Sequence, residues 1–171
     1  MAESFTRFRF ALGVFDTPWR LQNAFSDLTA AGWVNNQFCL AGTRSALDAI
    51  STSVGDGKLA HTGLTSLLAR LEVRRMSADG PNIFASSGPV LDAIGKPASR
   101  FVTTSKVYEF HFPSHLPAPL ARHIEAGAVA LIVNSTSASQ QDLSTRILLR
   151  HATHDILAHE FTPAPSSGSE L

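Results

Sequence analysis

The chain has 171 residues and a mass of 18.3 kDa, a length that fits one domain around one core, and its 44% apolar content is too high for a wholly disordered protein. Fourteen Lys plus Arg balance fourteen Asp plus Glu, so the basic footprint that nucleic-acid or anionic-membrane binding needs is missing. The longest apolar run, 126–133, is strand-length and far short of the roughly 18 residues that span a bilayer, so neither nucleic acid nor a membrane is expected as a partner. A single cysteine, Cys39, allows no intrachain disulfide and no cysteine zinc cluster, which fits a reducing, cytoplasmic compartment. Set between Phe38 and Leu40, Cys39 reads as an inert core thiol. The first residues carry charge at Glu3, Arg7 and Arg9 with no apolar stretch behind them, and no signal peptide is expected.

From Arg7 to Phe15, apolar Phe8, Phe10, Leu12 and Val14 alternate with Arg7, Arg9, Ala11 and Gly13, the period of a strand with one buried face. Asp16-Thr17-Pro18 then opens a helix, where proline's missing N–H has no helical partner to lose, and Gly32 ends it. Residues 34–41 follow as a short strand. The middle predicts helices over 45–50 and 59–73, a short helix after Ser86-Ser87-Gly88-Pro89, and an added strand over 104–112. Leu116, Leu120 and Ile124 mark a helix closed by Gly127, and the continuous apolar run that follows predicts a central strand covered on both faces. Ser137 and Gln140 form a capping box for a helix with the stripe Leu143, Ile147, Leu148 and His151, and 155–161 is the last strand.

In order this is β-α-β, a long middle, then β-α-β. The expected fold class is α+β, a ferredoxin-like antiparallel sheet with a long, mainly helical insertion between its two halves. The domain would span 1–162, with the insertion at about 43–115 and a disordered Pro/Ser/Gly tail over 163–171.

Gly13-Val14-Phe15-Asp16 before a helix, Ala31-Gly32-Trp33 after it, Ile124-Glu125-Ala126-Gly127 before Ala130-Leu131-Ile132-Val133, and the run from Ile147 to Ile156 resemble the heat-induced, general-stress-protein-like family of small bacterial proteins. The resemblance covers about half of the chain, at its two ends, and implies the fold and a stress-associated role without transferring a catalytic residue. The middle departs from the family's Gly-rich apolar segment by carrying Lys58, Arg70, Arg74, Arg75, Lys96 and Arg100.

No catalytic residue, cofactor or metal is assigned. Among seven histidines, His151, His154 and His159 have the best spacing for a metal, but a place for His151 at a helix C-terminus explains it without one. Ser87 and Gly88, at a turn that starts a helix, with Arg70 and Arg74 one helical turn apart, are the candidates for holding an anion. Tyr108, Phe110 and Phe112 are candidates for an interface, where aromatic residues are enriched. Charged residues make up 16% of the chain against about 25% in typical domains, which favours association and predicts a homodimer. The expected function is a non-enzymatic regulatory module acting through self-association or a protein partner. The alternative is a ligand binder or small enzyme with a pocket between sheet and insertion, using His111, His115 or His123 as acid or base.

Overall fold

The computed structural model describes residues 8–55, 62–75, 82–95, 100–103, 106–109, 112–113, 116–152 and 156–162. Phe8–Phe15 forms β1 and Pro18–Ala30 forms α1. Thr17 caps the helix by accepting the Arg20 N–H on its hydroxyl at 3.3 Å, and Gly32, at φ +113°, turns the chain out of it in the left-handed region that a side chain would disfavour. One 3-10 turn, Asn35–Gln37, precedes β2 at Phe38–Gly42, so this strand starts later than the 34–41 expected. The turn is pinned to the strand that β2 pairs with, since the Trp33 indole N–H and the Gln37 side-chain amide both donate to the Asn134 carbonyl, at 2.9 and 3.2 Å.

The inserted segment begins with α2, Arg44–Gly55, and α3, Thr62–Leu68, and continues through β3, Leu71–Arg75, β4, Asn82–Ser86, α4, Pro89–Ile94, β5, Arg100–Thr103, and β6, Lys106–Glu109. Beside its three helices it thus carries, among the described residues, four short strands, of which only the one near 104–112 was expected. The helix expected over 59–73 ends at Leu68, and the residues after it pair with β4. These inserted strands are only four or five residues long and the outer ones carry charges, so their alternation is too short to outweigh the leucine spacing before them. The strand expected over 104–112 is β6 in its centre, while Phe112 has left it: its N–H donates to the Ile94 carbonyl at 2.8 Å and its ring is fully buried. Residues 104, 105, 110 and 111 of that expectation, and the tail at 163–171, lie outside the described residues.

The second end of the chain supplies α5, Ala118–Glu125, β7, Val129–Ser135, α6, Ala138–His151, and β8, Ile156–Thr162. Ser137 caps α6 through the Gln140 N–H at 3.1 Å, and the Gln140 side-chain Oε1 reaches back to accept the N–H of Thr136 at 3.0 Å, one residue before the cap. The buried stripe of α6 runs through Ser144, Ile147 and Leu148, whereas Leu143, expected in it, is exposed. The small Ser144 lies where the helix crosses the sheet, its hydroxyl 3.4 Å from that of Ser135.

The strands among the described residues join one antiparallel sheet in the order β3-β4-β2-β7-β1-β8-β5-β6. The strands read from the two chain ends occupy its middle, and β1 pairs with both β7 and β8. Helices cover both faces. Residues of α1, α2, α3 and α6 pack with Ala11, Phe15, Leu131 and Val133 on one side. Residues of α4 and α5, with Phe112 and Leu116, pack with Phe10, Leu12, Val14 and Ile132 on the other.

Both-sided burial of β7 agrees with its apolar run; for β1 it corrects the expectation of one buried face. Ala11 and Gly13 do not face water. Gly13 has no side chain where α6 lies close over it: a Cβ there would stand 3.3 Å from Leu148 Cδ2 of α6, and 3.2 Å from Ile156 Cδ1 of β8. For the same reason Phe10 packs under α4 and α5, on the face away from α1 and α6. Replacing Gly13 by Val should overpack this layer and lower the unfolding free energy by about 1–3 kcal/mol, read as a lower denaturant midpoint. An unchanged midpoint would contradict the close approach of α6.

Candidate functional site

The seam between β2 and β4 brings together Cys39 and Ser86, a polar pair in the middle of an apolar layer. Register pairs Ala41 with Ala85 and Gly42 with Phe84, and one step further the Ser86 hydroxyl accepts the Leu40 N–H at 2.9 Å. A side chain thus continues the ladder where the strands part. The Cys39 thiol donates to the Ser86 carbonyl at 3.5 Å and is fully buried. Burial pushes that thiol up to about 12, against the smaller lowering effect of its hydrogen bonding with Ser86. A thiol so placed is protonated at neutral pH, and it packs as a small hydrophobe. The role of Ser86 was not visible in the sequence, where it was the first residue of a loop-like Ser-Ser-Gly-Pro.

The residues expected to hold an anion are only partly assembled. Arg70 Nη1 reaches the neighbourhood of Gly88, 3.8 Å from where a Cβ would stand, and Gly88 is held at φ +149°. Ser87, however, spends its backbone N–H on the Arg70 carbonyl at 2.7 Å. Arg74 does not lie one helical turn from Arg70: it is on β3, with its guanidinium 3.1 Å from Glu72 Oε1 and 3.1 Å from the Val73 carbonyl. The helix after the turn, α4, has six residues.

The His151 side chain does not meet the carbonyls that end its own helix. Nε2 lies 2.7 Å from Asp27 Oδ2 on α1, and Arg150 Nη1 is 3.7 Å from the same oxygen. Arg20 of α1 donates in turn to the His151 carbonyl at 3.5 Å. This cluster ties the two helices that lie side by side on one face of the sheet. His154 lies outside the described residues, and His159 stands on β8 opposite Phe10. Among the described residues no three His, Cys, Asp or Glu converge on a point where a metal could sit. His111 and His115 are also outside the described residues, and His123 is half-buried on α5.

Of the aromatic residues expected at an interface, Phe112 is inside the core, which removes it from any surface. Its ring fills the space between α4, α5 and the sheet, a place that the alternation with Tyr108 concealed. Tyr108 is on β6 opposite Phe101, and Phe110 lies outside the described residues. A cleft of about 50 Å³ opens at the start of α1 between Phe15, Asp16, Pro18, Ala46, Ile50 and Gly127, with room for a few water molecules. Among the described residues no helix is long and apolar enough to cross a membrane.

Comparison of the chain with family models, with curated proteins and with solved structures finds no match.

Burial of Cys39 gives a pH dependence whose sign is fixed. Above the ordinary thiol value of 9.0 the unfolded chain releases the Cys39 proton while the folded chain keeps it up to about 12. The unfolded state then binds fewer protons, and stability falls with rising pH across that window, by up to about 1.4 kcal/mol per unit. Denaturant titrations of the wild type and Cys39→Ala between these pH values should therefore differ in slope, the wild type falling more steeply. Equal slopes would show that the thiol is open to solvent.

Proposed function

We propose that the protein is a non-enzymatic, stress-associated or regulatory module that acts through self-association or a protein partner, with the homodimer as its working form. The observation that carries this reading is how the space between the sheet and the inserted segment is filled. Val90, Leu91 and Ile94 of α4, with Phe112 and Leu116, close on Phe10, Leu12 and Ile132, all buried. On the α4 side apolar side chains occupy the place where a pocket between sheet and insertion would open, and on the α2 side the small cleft of about 50 Å³ opens; with both faces of the middle strands covered, the sheet's edges and the outer helix faces are what the protein presents to a partner.

We also infer that the four middle strands form a ferredoxin-like unit. The order β2-β7-β1-β8, all antiparallel, supports this, as does the placing of α1 after β1 and α6 after β7 on one face. The resemblance of the two chain ends to heat-induced, general-stress-like proteins points to the same unit and to the role.

Sedimentation equilibrium from low micromolar to submillimolar concentration tests the self-associating form. The expected mass rises with concentration from 18.3 kDa towards twice that value. A mass that stays at the single-chain value throughout would contradict it.

A further inference from the structure

β3 ends the strand order, and among the described residues no strand lies beyond it. The direction of its backbone groups follows from the ladder with β4. Leu71 stands opposite Ser86, so Arg70 stands opposite Ser87, and the Ser87 N–H donates to the Arg70 carbonyl at 2.7 Å. Arg70 is therefore in a hydrogen-bonded pair. In an antiparallel ladder such pairs alternate, so Glu72 and Arg74 turn their N–H and C=O groups towards β4, and Leu71, Val73 and Arg75 turn theirs outward. The Val73 carbonyl is in keeping with this, because what meets it is a side chain, Arg74 Nη1 at 3.1 Å. Val73 itself is 51% exposed, a β-branched apolar residue in the middle of an edge with no further strand among the described residues.

The residues along this edge, Leu71-Glu72-Val73-Arg74-Arg75, complement their own reversal. In an antiparallel pairing of two copies about a two-fold axis at Val73, Val73 meets Val73 in a hydrogen-bonded pair that satisfies the outward N–H and C=O of both. Glu72 of each copy then lies opposite Arg74 of the other, in the non-hydrogen-bonded pairs where Cα atoms are about 4.5 Å apart and side chains are closest. Leu71 lies opposite Arg75, whose aliphatic stem can cover it. Sliding the pairing by two residues either way sets Glu72 against Glu72 or Arg74 against Arg74, and a slide by one sets outward groups against inward ones. Charges on an edge strand usually guard it from such pairing, but here one register turns them into opposite-sign partners. Arg74 would exchange the Glu72 of its own chain, now 3.1 Å away, for that of the second copy.

We propose that the edge of β3 is the self-association surface, joining two copies through an antiparallel β3–β3 pairing centred on Val73. The proposal rests on the self-association reading above and names its surface. Five residues make a small contact, and the dimer should be weak and in rapid exchange.

A charge exchange tests it. In E72R or R74E the facing pairs become like-charged, and the dissociation constant from sedimentation should rise at least about tenfold. The double variant E72R/R74E restores opposite charges in the same register and should return to near the wild-type value. A second measurement does not depend on those variants folding well. Since Cys39 is fully buried, the introduced thiol of V73C is the reactive one, and mild oxidation should give a disulfide-linked dimer that the wild type does not form. A wild-type dimer that neither charge reversal weakens, or that V73C fails to cross-link, places the contact elsewhere and overturns the proposal while self-association stands. A wild-type chain that is monomeric at every concentration overturns the underlying reading as well, leaving the β3 edge to an unlike partner.

Discussion

β1 and β7 lie side by side with both their faces out of water, Leu12 opposite Ile132 and Gly13 opposite Leu131, and the rest of the molecule is arranged around that pair. A strand buried on both sides needs a layer above and a layer below. The upper layer comes from the two chain ends, through α1 and α6, together with α2 and α3 of the insertion. The lower layer comes from α4 of the insertion and α5 just after it, with Phe112 wedged between. The insertion is thus part of the core that the ends alone could not close. Burying this much apolar side chain on two faces is the main source of stability in a chain with few charges.

Polar contacts then fix how the layers sit rather than how strongly they adhere. The Asn134 carbonyl collects donors from Trp33 and Gln37, the Gln141 amide donates to the Phe10 carbonyl at 3.0 Å, and Ser86 continues the ladder between β2 and β4. Each satisfies a backbone group that would otherwise be costly to enclose. The Asp27–His151 contact does the same work between the two long helices at the protein's outer surface, where solvent screens it and its contribution is small. Both faces of the middle strands are closed by apolar side chains, and among the described residues β3 and β6 end the strand order; the proposed pairing rests on the charge pattern of β3.

Legibility in the sequence followed the length of each pattern. The run Ala130-Leu131-Ile132-Val133 and the capped helices α1 and α6 could be read directly, because many residues repeat one period and Thr17, Ser137, Gly32 and Gly127 mark their limits. β1 is legible as a strand, but the burial of its second face is not. Gly13 makes room for a helix whose Leu148 is 135 residues further along the chain, and no local pattern reports that. The inserted strands were hidden for a related reason: β3 and β4 are held by pairing with each other and with β2, so long-range partners decide what five residues cannot. Of the site residues, the core role of Cys39 was clear from its neighbours. The partner of His151 on α1, the inward turn of Phe112 and the ladder role of Ser86 depend on tertiary contacts alone.

Native-state amide hydrogen exchange, followed residue by residue with denaturant, tests most directly whether the central pair holds the structure. The account predicts that the amides of Ala11, Leu12, Leu131 and Ile132 exchange only through global unfolding, with a free energy and denaturant dependence equal to those of the whole molecule. Exchange of these amides through local opening, as easily as those of the outer strands, would contradict it.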